Sequence, residues 1–387
     1  MEDSKSQKTP DKAIHGGIII GIIAVATFII MIISPGAAIN YMNQGLSLCA
    51  TSVIPSLFPF MIISELIVAC GIGQRMSKPL SPLTKSLFGI GKSGACAFLL
   101  GTLCGFPVGA RVAASMYDKG DISPRELERI LTFCNNPSPA FIISTVGTSL
   151  LGRQDIGILI YACVIISSVA IGIFANIFTK KSGLNTDTDT RGRGYEANSM
   201  DAQIFTSAVR SSAASMLVVC AYVVFFTTLV GCVKSLLLSF GIPSVLSSML
   251  FGFFELSSGA SSAANIGNLF LSAVACALFS GWSGLSVHFQ IMSVTSNAKI
   301  SYKPYLLSKA AQGIICAALC ALALKFAFPS LLTKEAGAIL TDIKLFGIDK
   351  GLGLCALFFI ASLLPLALQT FDKKQNYGKN RKVLDNQ

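Results

Sequence analysis

The sequence has 387 residues, of which 52% are hydrophobic and only 13% are charged, with a mean hydropathy of +0.67. Because a soluble domain carries about 25% charged residues, this composition excludes an ordinary soluble protein and indicates an integral membrane protein. The net charge of +11 does not predict nucleic-acid binding, since the cations lie mainly between apolar runs and in the tails, as membrane topology requires.

Six apolar runs have about the 20 residues that a helix needs to cross a bilayer. They are residues 14–34, 46–71, 156–178, 206–232, 304–328 and 351–371. The first follows a polar tail, residues 1–13, and we interpret it as an uncleaved anchor because it is longer than the core of a signal peptide. The polar stretch 179–205 is typical of a flexible linker, and residues 372–387 form a basic tail.

The distribution of lysine and arginine predicts the orientation. Most of those outside the spans fall on the side that holds both termini and the linker, so these segments are predicted to be cytoplasmic. The two halves, residues 46–178 and 206–328, then have opposite topologies, and each contains an irregular apolar region, 93–151 or 243–298. We therefore predict an all-α polytopic membrane protein with two inverted-topology repeats that contain broken or re-entrant helices, as in secondary transporters.

The first irregular region contains L-C-G-F-P-V-G-A-R, Leu103 to Arg111. Pro107 removes a backbone donor and interrupts a helix. The interruption frees backbone groups near Gly105 for a substrate or an ion, or it only kinks a helix that packs through small residues. Arg111 could hold an anionic substrate through its fork of donors, pair with Glu65, or reach the membrane interface.

A charged segment follows this motif. Ser123 is a predicted N-cap, Pro124 stands in the first turn, and Glu126 stands three residues after the cap. We predict a short amphipathic surface helix here and assign it no chemistry.

The run C-N-N-P-S-P-A-F ends the same region. The adjacent amides of Asn135 and Asn136 are costly in an apolar setting unless they are hydrogen-bonded. The prolines predict a non-helical tip and then a half-helix that begins near Ser138, whose free N–H groups favour an anion. We predict substrate contact at these three residues; the alternative is a re-entrant loop in which the amides only cap the backbone.

In the second half, Glu255 lies in the apolar run M-L-F-G-F-F-E-L-S-S-G-A, where an acidic group marks a functional site by default. It is predicted to bind a coupling cation or to carry a proton, or else to pair with Arg210 or Lys309. Ser257 and Ser258 follow it and could line a polar path or allow close packing of helices.

The segment G-W-S-G-L-S-V-H-F-Q is the predicted counterpart of the Asn-Asn-Pro segment. Ser283 lies at its centre, and His288 and Gln290 are candidates for ligand contact, with proton coupling a further role for the histidine. A lone histidine is otherwise usually a satisfied hydrogen-bonding group. Trp282 could stack on an aromatic ring of a substrate.

Other chemistry has little support in the sequence. The twelve cysteines are scattered without a C-x-x-C pair, and no phosphate-binding loop occurs. We therefore expect no metal, no cofactor and no enzymatic activity. An intramembrane hydrolase that uses Ser258 or Ser286 with His288 would lack a G-x-S-x-G elbow and an evident orienting acid.

Taken together, five motifs resemble one family. They are S-V-I-P-S-L-F-P-F at 52–60, G-F-P-V-G-A-R, F-C-N-N-P-S-P-A-F, F-E-L-S-S-G and W-S-G-L-S-V-H-F-Q. In this order, over roughly residues 14–330, they resemble the sporulation integral membrane proteins of the YlbJ type, which carry a nucleoside-recognition (Gate) domain related to concentrative nucleoside transporters. Phe106 stands where family members often have Tyr, so a hydroxyl is missing, and the cation site of the nucleoside transporters has no residue-by-residue match.

The resemblance implies a spore-forming bacterium of the Bacillus and Clostridium group and a place in the mother-cell-derived outer forespore membrane. It also implies movement of dipicolinic acid, a small flat dianion, from the mother cell towards the forespore. A nucleoside or nucleobase transporter on the same scaffold is the first alternative, and a non-transporting membrane scaffold for spore assembly is the second. The expected partners are the substrate, the lipid bilayer, a coupling sodium ion or proton, and a second copy of the chain.

Overall fold

The computed structural model describes residues 27–72, 78–181, 202–238 and 244–333, together with Val25 and Arg75. All elements in these ranges are helices, which confirms the predicted all-α class. Most of the predicted anchor 14–34, the predicted span 351–371, both predicted tails and nearly all of the predicted linker lie outside the described residues.

The helices fall into two series. The first series is α1 (Pro35–Leu48), α2 (Ile54–Ala69), α3 (Ser81–Phe88), α4 (Lys92–Cys104), α5 (Val108–Asp118), α6 (Pro124–Cys134) and α7 (Gln154–Lys181), with π-helices at Cys49–Val53 and Ala140–Leu150. The second series is α8 (Ala202–Leu238), α9 (Ser244–Phe254), α10 (Leu256–Ala264), α11 (Leu269–Trp282), α12 (Leu285–Val294), α13 (Lys303–Leu322) and α14 (Ser330–Thr333), with a π-helix at Ala323–Ala327.

Four helical stretches in the described ranges are long and apolar enough to cross a membrane. They are Gln154–Ile177, Ala202–Ser235, Leu269–Val294 and Lys303–Ala327. Three of them coincide with predicted spans, whereas Leu269–Val294 lies in a region that we predicted to be irregular. The predicted span 46–71 is not one of the four. It belongs to a longer helical stretch that begins at Pro35 and passes through the π-helix Cys49–Val53, and its apolar part among the described residues is the shorter segment Leu57–Ala69.

A similar order of elements occurs in both series, apart from α3, which has no counterpart in the second series, and α14, which has none in the first. A long helix is followed by two broken pairs, α4–α5 and α6 with its π-helix in the first series, and α9–α10 and α11–α12 in the second. Each series then closes with a long helix, α7 or α13. This recurrence agrees with two repeats; their inverted topology remains a prediction, because the order of helices does not give their direction across a membrane.

Small residues let the first broken pair approach α6. A Cβ atom built on Gly101 or on Gly109 would collide with the carbonyl oxygen of Cys134, and the two glycines also face each other. Helix backbones can come this close only where side chains are minimal. The contact holds the break between α4 and α5 against the end of α6.

The capping signal before α6 is confirmed. The Ser123 hydroxyl accepts a hydrogen bond from the Glu126 N–H at 3.2 Å, and Pro124 begins the helix. The predicted surface position is wrong, because α6 runs into the protein interior. Glu126 and Arg129 are buried, and they bond the backbone of Gly91 (3.2 Å) and of Gly89 (2.9 Å), respectively.

Candidate functional site

The candidate site forms where the chain leaves helical conformation inside the bundle. In the first series the breaks are residues 105–107 and 135–139, and both contain proline, which cannot donate a backbone hydrogen bond. In the second series they are Glu255, with extended backbone, and Ser283–Gly284, both with positive φ (80° and 83°). Each break exposes backbone groups that a continuous helix would satisfy internally.

The two breaks of each series pack against each other through a glycine. A Cβ on Gly105, whose φ is +83°, would lie 2.7 Å from the backbone nitrogen of Ser138. A Cβ on Gly284 would lie 3.0 Å from the backbone nitrogen of Leu256 and 3.2 Å from the Cα of Glu255. Only glycine combines this backbone conformation with this approach, so the breaks cross at these points.

Three of the breaks, and the first turn of α12 after the fourth, border one cavity of about 380 Å³, within the range of small-molecule sites. The breaks and the turns after them contribute Phe106, Pro137, Ser138, Glu255, Leu256, Ser257, Ser286, Val287 and Gln290. The remaining walls come from the stretch around Thr51, from the π-helix that begins at Ala140, and from Val219 and Val223 of α8. The lining therefore combines hydroxyls, one amide and one carboxylate with apolar and aromatic side chains.

One helix begins at the cavity without a side-chain cap. The α12 N-cap is Gly284, and the first turn places Ser286 and Val287 on the cavity wall. The free N–H groups and the positive dipole end of such a terminus favour an anion or a carbonyl oxygen. At the π-helix, by contrast, the Ser138 hydroxyl already accepts the Phe141 N–H at 3.2 Å.

Glu255 caps its own helix. Its two carboxylate oxygens accept the backbone N–H groups of Ser257 (2.9 Å) and Ser258 at the start of α10. The predicted pairing with Arg210 or Lys309 is not what the structure shows. A carboxylate is stabilised at a helix N-terminus by these N–H groups and by the dipole, which explains how an acidic residue is held in this apolar run.

Arg111 lies outside the cavity and ties three helices together. Its Nε is 3.4 Å from the Glu65 carboxylate of α2, and its Nη2 donates to the Ser211 hydroxyl of α8 at 2.7 Å. The guanidinium is buried, and its Nη1 has no hydrogen-bond partner. Three roles were predicted for Arg111: binding an anionic substrate, pairing with Glu65 and reaching the membrane interface. The structure shows the pairing with Glu65.

The two asparagines face away from the cavity. The Asn136 amide donates to the Phe133 carbonyl (3.0 Å) and to the Ser168 hydroxyl (3.1 Å), and its Oδ1 accepts from Gln312 at 2.8 Å. The Asn135 side chain makes a single hydrogen bond, to a carbonyl of its own helix, and its Oδ1 is buried without a partner. Their backbone nonetheless leads directly into the cavity wall at residues 137 and 138.

His288 is buried behind the cavity. Its Nδ1 is hydrogen-bonded to the Tyr305 hydroxyl at 2.7 Å, its Nε2 has no partner, and its ring packs edge-on against Trp282 at 4.4 Å. Trp282 stacks on Phe253 and donates to its carbonyl at 2.9 Å, so the indole has a structural position here. The Ser283 hydroxyl is also buried without a partner.

The structure thus divides the predicted site residues into two groups. The cavity is lined by Ser138, Glu255, Ser257 and Gln290. Gly105, Pro107, Arg111, Asn135, Asn136, Ser258, Ser283 and His288 support the breaks or lie behind the wall and are not among its lining residues. Within the described ranges, no group of three or more His, Cys, Asp or Glu side chains is placed to hold a metal ion.

The sequence analysis missed two buried polar residues of α13. The Lys309 ammonium donates to the Asn135 carbonyl and to the Gln312 amide oxygen, both at 2.8 Å, and both side chains are fully buried. Lys309 was considered only as a partner of Glu255. The available signal was their spacing, because residues three apart in an apolar span share one helix face.

The chain is similar to a curated bacterial protein over most of its length. It is 26% identical over 312 residues to the sporulation integral membrane protein YlbJ of Bacillus subtilis (strain 168), a match that covers 73% of this chain and 76% of that protein. No family model matches the sequence, and no solved structure matches it. The similarity supports the motif-based resemblance to sporulation integral membrane proteins, and the fold is that of a polytopic helical membrane protein.

Proposed function

We propose that this protein is a transporter that moves a small polar or anionic molecule across a membrane during endospore formation, and that it is not an enzyme. The observation that carries this proposal is the convergence of three helix breaks, and of the helix start that follows the fourth, on one cavity. Irregular backbone at membrane depth is tolerated where it is buried or lines a cavity, and broken helices in paired repeats form the substrate sites of secondary transporters. Membership of the YlbJ-type family and its Gate-domain relationship are part of the same proposal.

Dipicolinate is the proposed substrate, and the proposed direction is from the mother cell towards the forespore across the outer forespore membrane, with both termini cytoplasmic. Two features of the cavity suit a small flat carboxylate. The uncapped start of α12 offers N–H groups to a carboxylate oxygen. Phe106 and Phe141, from the first-series breaks and the π-helix after them, add apolar ring surface to the lining.

A nucleoside or nucleobase is the second candidate, and a specific observation favours it. The lining contains hydroxyls, the Gln290 amide and the Glu255 carboxylate, and no lysine or arginine. An uncharged ligand that offers several hydrogen-bonding groups would be matched by this set, whereas a dianion would depend on backbone N–H groups for its charge. A non-transporting scaffold remains the candidate of another class.

Uptake into proteoliposomes that contain the purified protein distinguishes these candidates. Labelled dipicolinate and labelled uridine are offered separately, and each is challenged with an excess of the other unlabelled compound. The proposal predicts saturable dipicolinate uptake that falls in Gln290→Leu and is retained in Gln154→Leu, a partly exposed residue at the start of α7. Uridine uptake alone would replace the substrate and keep the transporter, and absence of both fluxes from folded protein would favour the scaffold.

A further inference from the structure

Lys309 occupies an unusual position for a charged residue. It lies in the candidate membrane span Lys303–Ala327, and its side chain is fully buried. The Nζ donates at 2.8 Å to the backbone carbonyl of Asn135, the C-cap residue that follows α6, and at 2.8 Å to the Oε1 of Gln312. Ionisable residues inside a membrane span are costly and mark ion or substrate pathways.

The surroundings of Lys309 offer oxygen dipoles in place of a counterion. The two acceptors are neutral oxygens, and the ionisable side chains near the ammonium are Cys134 from α6, His288 from α12 and Cys316 from its own helix. No carboxylate bonds the ammonium in the described part of the chain. The carbonyl at the end of α6 also carries the negative end of a helix dipole.

Such a set of ligands is the kind that binds a monovalent cation in transporters. Unwound backbone carbonyls and the C-terminal ends of half-helices coordinate sodium at the broken helices of these proteins. Here the Lys309 ammonium donates to oxygens of a similar kind, the Asn135 backbone carbonyl and the Gln312 Oε1. Lys309 also contacts the break that forms part of the cavity wall, because Pro137 and Ser138, two and three residues after Asn135, line the cavity.

We propose that the Lys309 ammonium occupies a cation site at the end of α6, so that this side chain takes the place of a coupling sodium ion. The role of this site in a transport cycle rests on the transport function proposed above. The occupation of the site by Lys309 does not depend on transport. Gln312 extends the site, because its Oε1 accepts a hydrogen bond from Lys309 and its Nε2 donates one to the Asn136 Oδ1. Lys309 and Gln312 together therefore bond both asparagines of the break.

Thermal stability in detergent tests the occupied site without any transport measurement. The wild-type protein is melted in sodium chloride and in choline chloride of equal ionic strength, and we expect the same Tm in both. Lys309→Ala empties the site, so its Tm should fall in choline and be partly recovered by sodium or ammonium. Lys309→Met, which refills the space without a charge, should show no such recovery.

Lys325→Ala is the matched control. This lysine lies in the π-helix after α13, is exposed, and rests over the Phe326 ring, so its removal should leave Tm and the salt response unchanged. A wild-type Tm that rises with sodium over choline would overturn the inference, and so would a Lys309→Ala protein as stable as wild type. Where Lys309→Ala fails to fold, a wild-type Tm that rises in sodium still overturns the inference.

Flux measurements separate this inference from the proposed function. With both proposals correct, substrate uptake is the same when sodium is replaced by choline on both sides of the membrane. Sodium-dependent uptake would keep the transporter and overturn the occupied cation site. Absence of any flux, together with the expected stability pattern of Lys309→Ala, would overturn the transporter and keep the cation site.

Discussion

Truncation of Asn136 and of Asn135 should have clearly different effects, although the two residues are adjacent, identical and equally buried. Asn136→Ala removes three hydrogen bonds, to Phe133, Ser168 and Gln312. Side-chain hydrogen bonds between membrane helices contribute about 0.6 kcal/mol each, so the loss amounts to about 2 kcal/mol. The Gln312 amide also loses its best acceptor inside the protein, since its other contact is longer, at 3.4 Å.

Asn135→Ala removes one hydrogen bond, to the Leu131 carbonyl of its own helix, at a cost of about 0.6 kcal/mol. The contact from Lys309 is made to the Asn135 backbone and survives the substitution. The two variants should therefore differ by about 1.2 kcal/mol, or roughly eightfold in the unfolding equilibrium constant.

Reversible unfolding in mixed micelles, followed by circular dichroism as the fraction of dodecyl sulfate is raised, measures this difference. Asn136→Ala should unfold at a clearly lower fraction of dodecyl sulfate than Asn135→Ala. Equal effects, or a larger effect at Asn135, would show that the network between the break, α7 and α13 does not exist as described.

Two further predictions concern packing and charge. Gly109→Ala would place a methyl group against the Cys134 carbonyl and should lower the free energy of unfolding by about 1–3 kcal/mol, and with it the melting temperature. Gly36→Ala is the control: nothing lies within 4 Å of its added atom, so the melting temperature should hardly change. Arg111→Gln leaves Glu65 without its partner and should lower the free energy of unfolding by about 2 kcal/mol. The KM for uptake should change little, because Arg111 does not line the cavity. A raised KM at unchanged stability would instead indicate direct contact with the substrate.

Proline made the two breaks of the first series predictable. Pro107 and the prolines after Asn136 cannot continue a helical hydrogen-bond pattern, and the chain leaves the helix at both places. The Ser123 cap was predictable for a similar reason, because its hydroxyl can satisfy the backbone locally. The proline breaks and the Ser123 cap depend only on residues that are close together in the sequence, so the sequence alone predicts them.

The direction in which each side chain points was not predictable in this way. Within one short break, Ser138 faces the cavity while Asn135 and Asn136 face α13 and α7. Their partners Lys309 and Gln312 are far away in the sequence, so only the packing of the helices brings them together. Glu255 was recognised as exceptional, but its role as the cap of α10 depended on a break that has no proline or glycine beside it.

The account depends most on the claim that the cavity at the helix breaks is the substrate site. Thr145 lines that cavity, whereas Thr148, on the same π-helix, is exposed and outside the lining. The direct measurement is the initial rate of labelled dipicolinate uptake into proteoliposomes containing wild type, Thr145→Trp or Thr148→Trp. We predict that Thr145→Trp, which fills the cavity, abolishes uptake while Thr148→Trp retains it. Full uptake by a folded Thr145→Trp protein would contradict the assignment of the site.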